Sequence, residues 1–387
     1  MNILFISNDP GILKEGSAVR MRMKAYATEL EPHDGKLHIL LRGPESLVKK
    51  DGSLVLHSVR VGKLRSPFVL SHQARHIIRK HRIGVVSAQD PFEHGWAAAR
   101  AVHGTQAKLH IQVHTDFLTP WFTRSHIYRS PHVHMPLLNG IRRRIAMHVL
   151  PHADGIRVVS ERVRDSLTAK FGSSIPMPSV IPIAVDATVP PRVELPPHNF
   201  TFSLIAVGRL EPEKRIEDIL AAVARLKDVY PFLGLFIVGE GRERGRLQRM
   251  ARSLGLSDRV VFLGARADAR GLMQGAQCFI QASAYEGYGL TLIEAALSRV
   301  PIITTDVGIV GEVFKGYEHV LANAIGDPTN LAASIAWLIE DHEAQRSLVM
   351  AADARAREHL AATDSSPAAI MRDIMATTRN IPETWAP

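Results

Sequence analysis

Four prolines within twelve residues, in VPPRVELPPHNF (189–200), interrupt this chain once, and on either side of them one pattern runs twice. Proline fixes φ and removes a backbone donor, so the segment reads as a linker. Before it, apolar runs at 1–9, 37–42, 54–59, 84–88, 109–114 and 156–159 alternate with helical periodicity, the first helix spanning about 17–29. After it come strands at 202–208, 233–239, 260–264, 278–283 and 301–305, with helices at 215–228, 242–254 and 290–298 between them. Short apolar runs that alternate with helices predict parallel sheets with crossover connections. The chain therefore reads as an α/β protein of two doubly wound units.

The expected boundaries are 1–188 for the first unit, 189–200 for the linker and 201–365 for the second. Residues 331–360 and 366–378 read as helical, and the segment 366–387 is expected to pack back on the first unit. Ligands of open α/β sheets bind beyond the carboxyl ends of the strands. The site is therefore expected in loops of both units, facing across a cleft.

Composition narrows the class of partner. The single cysteine, Cys278, excludes an intrachain disulfide and favours a reducing compartment. The start MNILFIS has no basic leader, and no apolar run approaches about 18 residues, so a cytoplasmic, non-spanning chain is expected. Charge is uneven. Residues 1–196 hold 27 Lys and Arg against 15 Asp and Glu, a net +12, leaving −3 for the rest of a chain of net +9. A basic half implies a local anionic partner: nucleic acid, anionic lipid or a phosphorylated substrate.

Two motifs in the second half address phosphate chemistry. Directly after a strand, Gly208-Arg209-Leu210-Glu211-Pro212-Glu213-Lys214 places a forked and a point cation where a diphosphate would lie. Its bland reading is a solvated helix start. Further on, Glu286-Gly287-Tyr288-Gly289-Leu290-Thr291-Leu292-Ile293-Glu294 sets two carboxylates eight residues apart across a glycine turn. Gly287 and Gly289 permit positive φ and close backbone approach, and amides opening a helix near Leu290 and Thr291 attract anions. Glu294 then falls within reach of ribose hydroxyls and Glu286 of a sugar.

These residues resemble the family 4 retaining glycosyltransferases, which have the GT-B fold of two Rossmann-like domains. EGYGLTLIEA (286–295) is similar to the family's Glu–x7–Glu signature, and VGRLEPEKR (207–215) to its Arg/Lys phosphate clamp. ADGIRVVSERVRDSL (153–167), VIPIAVD (180–186) and TTDVGIVGEV (304–313) resemble three further family segments. The resemblance covers most of the chain. It implies transfer of a sugar from a nucleotide diphosphate donor with retention at the anomeric carbon. It also implies Arg209 and Lys214 on the diphosphate, Glu286 near sugar hydroxyls, Glu294 on the ribose, and contacts from Gly287, Gly289, Leu290 and Thr291.

In the first half the resemblance matches His114 of LHIQVHTDF (109–117) to a strand-end histidine that reaches the transferred sugar. Gly16 matches the amino-terminal glycine loop, although Glu15-Gly16-Ser17 lacks the usual second glycine, and Ile183-Ala184 replaces an interdomain Asn-Gly. Asp90 of SAQDPFEHG (87–95) and Asp116 are the candidate acceptor contacts; for Asp90 an Asp-Pro turn or helix cap is the equal alternative. For His114 the bland reading is a hydrogen-bonded core residue.

There is no Asp-x-Asp triplet and no His/Cys cluster at metal-ligand spacing, so no metal and no cofactor beyond the donor itself are expected. The resemblance favours front-face transfer and assigns no nucleophile. The expected acceptor is a glycan or lipid-linked hydroxyl.

Arg75, Arg79 and Arg82 fall on one face of a predicted helix. Near 137–150, Leu137, Leu138, Ile141, Ile145 and Val149 line one side, with Arg142, Arg143 and Arg144 turned away. Trp121, Phe122, Arg124, Tyr128 and Arg129 precede them. This suits an anionic membrane surface or an ordinary packed helix equally. A GT-B epimerase or glycan phosphorylase explains the motif series less well. A nucleic-acid-binding protein is disfavoured for lack of a zinc-finger or RNA-binding motif, and an oxidoreductase because GEGRERG (239–245) misplaces its third glycine.

Overall fold

A computed structural model describes residues 1–123 and 135–378. The described parts of Met1–Leu118, Leu137–Pro182 and Asp364–Pro387 form one compact unit, and those of Thr119–Pro136 and Ile183–Thr363 a second.

The first unit holds β1 (Asn2–Ser7), β2 (Leu37–Arg42), β3 (Leu47–Asp51), β4 (Leu54–Val59), β5 (Ile83–Ala88), β6 (Lys108–Val113), β7 (Gly155–Val158) and β8 (Ser179–Val180). They form one sheet in the order β3-β4-β2-β1-β5-β6-β7-β8, parallel except for β3 against β4. β3 lay outside the predicted strands because its run LVKKD is exposed and polar at its centre. It is an edge strand blunted by Lys49 and Lys50, and Gly52, at φ 63°, turns the chain into β4.

The second unit holds β9 (Phe202–Val207), β10 (Leu233–Val238), β11 (Val260–Gly264), β12 (Cys278–Ile280), β13 (Ile302–Thr305) and β14 (Leu321–Asn323). Their order is β11-β10-β9-β12-β13-β14, all parallel. Every residue of β10 is buried, as a parallel strand covered on both faces requires. Leu204, Ala206, Leu235 and Ile237 share a core with Ile219, Leu220 and Val223 of the helix Ile216–Leu226. Each of the leucine, isoleucine and valine side chains contributes about 1.5–3 kcal/mol by burial. The order reverses between β9 and β12, which is the switch point where doubly wound sheets open a crevice.

Three details sharpen the sequence reading. The periodicity over 331–360 resolves into two helices, Pro328–Glu340 and His342–Ala362, because the Asp341 carboxylate caps the second by accepting from the Ala344 amide at 2.8 Å. The proline-rich segment is pinned to its own unit: Val193 N–H donates to Gly271 O (3.0 Å) and the Gln274 amide to Pro190 O (2.7 Å). The closing helix Pro367–Ala376 sends Ile370, Met371 and Ile374 into the first unit's core beside Ile3 and Tyr26.

Candidate functional site

In the second unit the loops after β9 and β12 carry the candidate donor residues. Gly239 lies where two strand-end turns touch, at φ 144°, and a Cβ there would come within 1.8 Å of the Gly208 carbonyl oxygen. Only glycine permits that approach. The Gly208 amide donates to Val238 O and the Leu210 amide to Glu240 O, both at 2.9 Å. With Leu210 buried beneath, Arg209 projects outward, its side chain 72% exposed and paired with Glu213 at 3.2 Å. The short turn Pro212–Lys214 follows. Arg215 then adopts left-handed φ 48° and binds Asp218 at 2.5 and 2.9 Å in a buried pair that fixes the turn to the next helix.

The signature loop is built against that turn. Ala284 N–H donates to Glu213 O at 2.8 Å, so β12's extension and the clamp are stitched together. The Glu286 carboxylate receives the Lys214 ammonium and, at 2.7 Å, the Ser283 hydroxyl. Thr305 donates to Ser283 O at 2.6 Å from below. Gly308, at φ 60°, comes so near the loop that an added Cβ would sit 2.4 Å from Tyr288 O.

Of the two signature glycines it is Gly289 that enters the left-handed region, at φ 94°, where it begins the helix Leu290–Leu297. No side chain caps this helix, so the Leu290 and Thr291 amides open it without a side-chain acceptor. The Thr291 hydroxyl itself donates to Gln281 Oε1 at 2.7 Å, which leaves the backbone as Thr291's contribution. Glu294 stands about one turn later and is half-buried, and its carboxylate has no hydrogen-bond or ion-pair partner among the described residues. Burial raises its pKa above the ordinary glutamate value, and the charge of Arg270 only partly opposes this.

The candidates of the first unit follow the carboxyl ends of β1, β5 and β6. Gly16 is exposed at φ 72° with nothing within 4 Å of an added Cβ, and Ser17 caps the next helix by accepting from Arg20 N–H at 3.1 Å. At His114, burial and then the nearby Arg157 and Arg22 hold the imidazole pKa down to about 3, so it is neutral at pH 7. Arg157 donates to Gln112 Oε1 (2.9 Å), and Gln112 donates to Ser87 (3.0 Å). That amide orientation makes His114 Nε2–H the donor to Gln112 Oε1 at 3.2 Å, leaving Nδ1 as an acceptor.

The two aspartates have structural partners. Burial pushes the Asp90 carboxyl up, yet the ion pair with His94 and the amides of Phe92 (2.8 Å) and His94 (3.4 Å) outweigh it and lower its pKa. Asp90 thus serves as the turn cap that the Asp-Pro sequence offered as its alternative reading. Asp116 accepts from the Ser166 hydroxyl at 3.1 Å and the Leu118 amide at 3.3 Å.

The basic stretches differ from their expected faces. Arg75 donates to backbone carbonyls, and Arg82 lies past its helix at φ 49°, so no free arginine stripe forms. Leu137 and Ile141 are exposed, whereas Arg142 turns inward to Glu93 at 2.9 Å. Phe122 is buried against Tyr285 with ring centroids 5.5 Å apart, and Trp121 packs beside it. Arg124, Tyr128 and Arg129 lie outside the described residues. Among the described residues no three His, Cys, Asp or Glu side chains are grouped to hold a metal, and no helix is long and apolar enough to cross a membrane.

Motif reading missed Ser283, Gln281 and the Gln112–Arg157 pair beneath His114. The first two lie in the strand extension just before the signature, where strand polarity alone offered a signal. The pair is joined across two strands, and no local pattern announces it.

Comparison with known proteins places these loops in context. The family model for group 1 glycosyl transferases matches residues 196–355, and that for glycosyltransferase family 4 matches residues 22–189. A glycogen synthase of Mycobacterium tuberculosis is 30% identical over 205 residues, covering 52% of this chain and 50% of that protein. The chain thus spans about half the length of this curated relative. Among solved structures, the sucrose-phosphate synthase of Thermosynechococcus elongatus superposes with a TM-score of 0.76 at 18% identity, covering 97% of this chain and 98% of that one. HepE of Anabaena, solved with UDP and glucose, superposes at 0.70 and 19% identity over 98% of this chain and 100% of that one. At such identities the likeness establishes the GT-B fold.

Proposed function

Because this chain belongs to the family 4 glycosyltransferases, we propose that it moves a sugar from a nucleotide diphosphate donor to a hydroxyl of a glycan, glycolipid or lipid-linked acceptor. The observation that carries this reading is the union of clamp and signature. Lys214 meets Glu286, and the uncapped helix start at Leu290 follows four residues later. A phosphate-sized anion suits that start, since the amides and the helix dipole both favour negative charge.

The roles in this reading are as follows. Arg209 and Lys214 neutralise the diphosphate, while the Leu290 and Thr291 amides hold its oxygens. Glu286 shares Lys214 and accepts hydroxyls of the sugar; Glu294 takes the ribose. His114 offers Nδ1 to a sugar hydroxyl. Transfer proceeds on the face the diphosphate leaves: the anomeric C–O(phosphate) bond breaks and the C–O(acceptor) bond forms there. The acceptor proton passes to the departing phosphate oxygen, and configuration is retained.

Charge on the leaving group is met by cations and amides, so the reaction runs without a divalent metal. Exposed Leu137 (69%) and Ile141 (45%) on a helix bearing Arg143 and Arg144 support docking at an anionic membrane face from the cytoplasmic side.

The test is a panel of nucleotide sugars screened by thermal stabilisation, beginning with UDP-glucose because HepE was solved with UDP and glucose. A donor at 100 times its dissociation constant adds about 2.7 kcal/mol. A stabilising donor whose sugar is α-configured should then be consumed in the presence of acceptor to give an α-linked product by NMR, unaffected by EDTA. No stabilisation by any nucleotide sugar overturns the proposal; an inverted product, or loss with EDTA and rescue by Mg²⁺, overturns its mechanism.

A further inference from the structure

The helices Ser66–His81 and Glu93–Val102 and the end of the helix Met135–Val149 enclose an open cavity of about 540 Å³ in the first unit. It lies at the amino ends of the strands. His103 precedes β6, and His148 and His152 precede β7, whereas Asp90 and His114 follow the carboxyl ends of β5 and β6. Nothing in the proposed sugar transfer uses it, although its size is ordinary for a small-molecule site.

Its lining is basic and aromatic with no carboxylate: Arg75, Arg100, His103, His148 and His152 surround Trp96. Arg75 is held rigid. Its Nε and Nη2 donate to the carbonyls of Ala101 (3.4 Å), Arg100 (3.0 Å) and His103 (2.6 Å), and Nη1 has no protein partner among the described residues. Arg100 has no ion-pair partner there, and its guanidinium lies 5.4 Å from the Trp96 ring centroid. His152 gives Nδ1–H to His148 O at 2.9 Å, which fixes its ring.

Two guanidinium groups without a carboxylate on a concave surface attract an anion, and the guanidinium fork matches phosphate. Beside them the Trp96 ring, Leu109 and Val149 offer an apolar wall. We infer that this cavity binds an organic phosphate, with the phosphate on Arg75 and Arg100 and its apolar body against Trp96. A lipid headgroup and a free phosphoester share this chemistry.

Calorimetry on the full chain tests it with phenyl phosphate, inorganic phosphate and benzyl alcohol as probes. Phenyl phosphate should bind once per chain, inorganic phosphate more weakly, and benzyl alcohol below detection. The double variant Arg100→Gln/His148→Gln should weaken phenyl phosphate about tenfold, the scale of one lost charge-assisted hydrogen bond, while leaving the melting temperature and UDP affinity unchanged. Both side chains sit at exposed positions, so the variant should fold. Trp96→Leu should weaken phenyl phosphate and spare inorganic phosphate.

Vesicles of phosphatidic acid separate the sources. Co-sedimentation that phenyl phosphate displaces identifies a lipid headgroup, and none identifies a free phosphoester. Absence of phenyl phosphate binding, or binding that both variants leave unchanged, overturns the site.

Discussion

Lys214 and Glu286 form an ion pair across 72 residues of sequence, with side chains only 18% and 14% exposed. The pair joins the loop after β9 to the loop after β12, so the lysine already has an anionic partner within the protein. On the proposed reading, an arriving diphosphate would offer Lys214 a second anion and let Glu286 accept a sugar hydroxyl. Lys214→Met strands a largely buried carboxylate, a change that costs about 3–5 kcal/mol in a fully buried pair and less here. The expected result is a lower melting temperature and no calorimetric binding of nucleoside diphosphate. Lys214→Met/Glu286→Gln should restore the melting temperature without restoring binding. Wild-type diphosphate affinity in that double variant would remove the clamp.

Glu294 gives a second, opposite signature. Its carboxyl is half-buried without a partner among the described residues, and burial raises its pKa. Ionised, it disfavours folding, so Glu294→Gln should leave the melting temperature equal or higher. The same change should weaken UDP about tenfold to a hundredfold if ribose hydroxyls donate to it, as charged hydrogen bonds of about 1.5–3 kcal/mol imply. Because the free protein holds its proton to a higher pH than an ordinary glutamate does, wild-type affinity should fall as pH drops through that raised value. In the Gln variant this pH dependence should disappear. Titration calorimetry between pH 4 and 8 reads both effects.

Strand positions were legible wherever both faces of a strand are buried. LGLFIV became β10, whole, because a parallel interior strand must be apolar throughout. LVKKD escaped notice because an edge strand carries lysines, yet Asp51-Gly52, a strong hairpin signal, stood in plain view. In the second unit the motifs put Arg209 and Lys214 after β9, and Glu286, Gly289 and Glu294 in the loop after β12 and the helix it opens. Motif spacing could not disclose that Lys214 and Glu286 bind each other, nor that Asp90 is held by His94. The first pairing is set by strand order, which local sequence does not encode, whereas His94 stands only four residues beyond Asp90. His114 was read as a strand-end ligand group, and only its neighbours Gln112 and Arg157 reveal a neutral imidazole.

The close approach at Gly239 predicts a sharp contrast between two glycines. Gly239→Ala would drive a Cβ to 1.8 Å from the Gly208 carbonyl at φ 144°, forcing the clamp strand apart. Overpacking and backbone strain together should cost about 2–5 kcal/mol and abolish diphosphate binding. Gly16→Ala, at φ 72° in open space, should cost only about 1 kcal/mol from its left-handed backbone. Denaturant midpoints compare them, and equal losses would refute the contact argument.

A buried histidine pair sets the acid limit of the first unit. His38 Nδ1 and His57 Nε2 share one hydrogen bond at 2.9 Å, and His38 Nε2 is buried with no partner. Burial, followed by the neighbouring histidines and lysines, holds His38 down to about 3 and His57 to about 4, against 6.5 for a free imidazole. The unfolded chain therefore binds protons that the folded unit refuses. Stability from this pair is complete above pH 6.5 and declines as pH falls from there toward 4, by up to about 1.4 kcal/mol per pH unit for each histidine. Urea midpoints measured from pH 7.5 to 4.5 should show that slope. His57→Gln keeps a hydrogen-bonding group but cannot titrate, so its slope should be shallower by one proton. An identical slope in the variant would locate the acid sensitivity elsewhere, with the His94–Asp90 pair working in the opposite sense, because its histidine keeps its proton to higher pH.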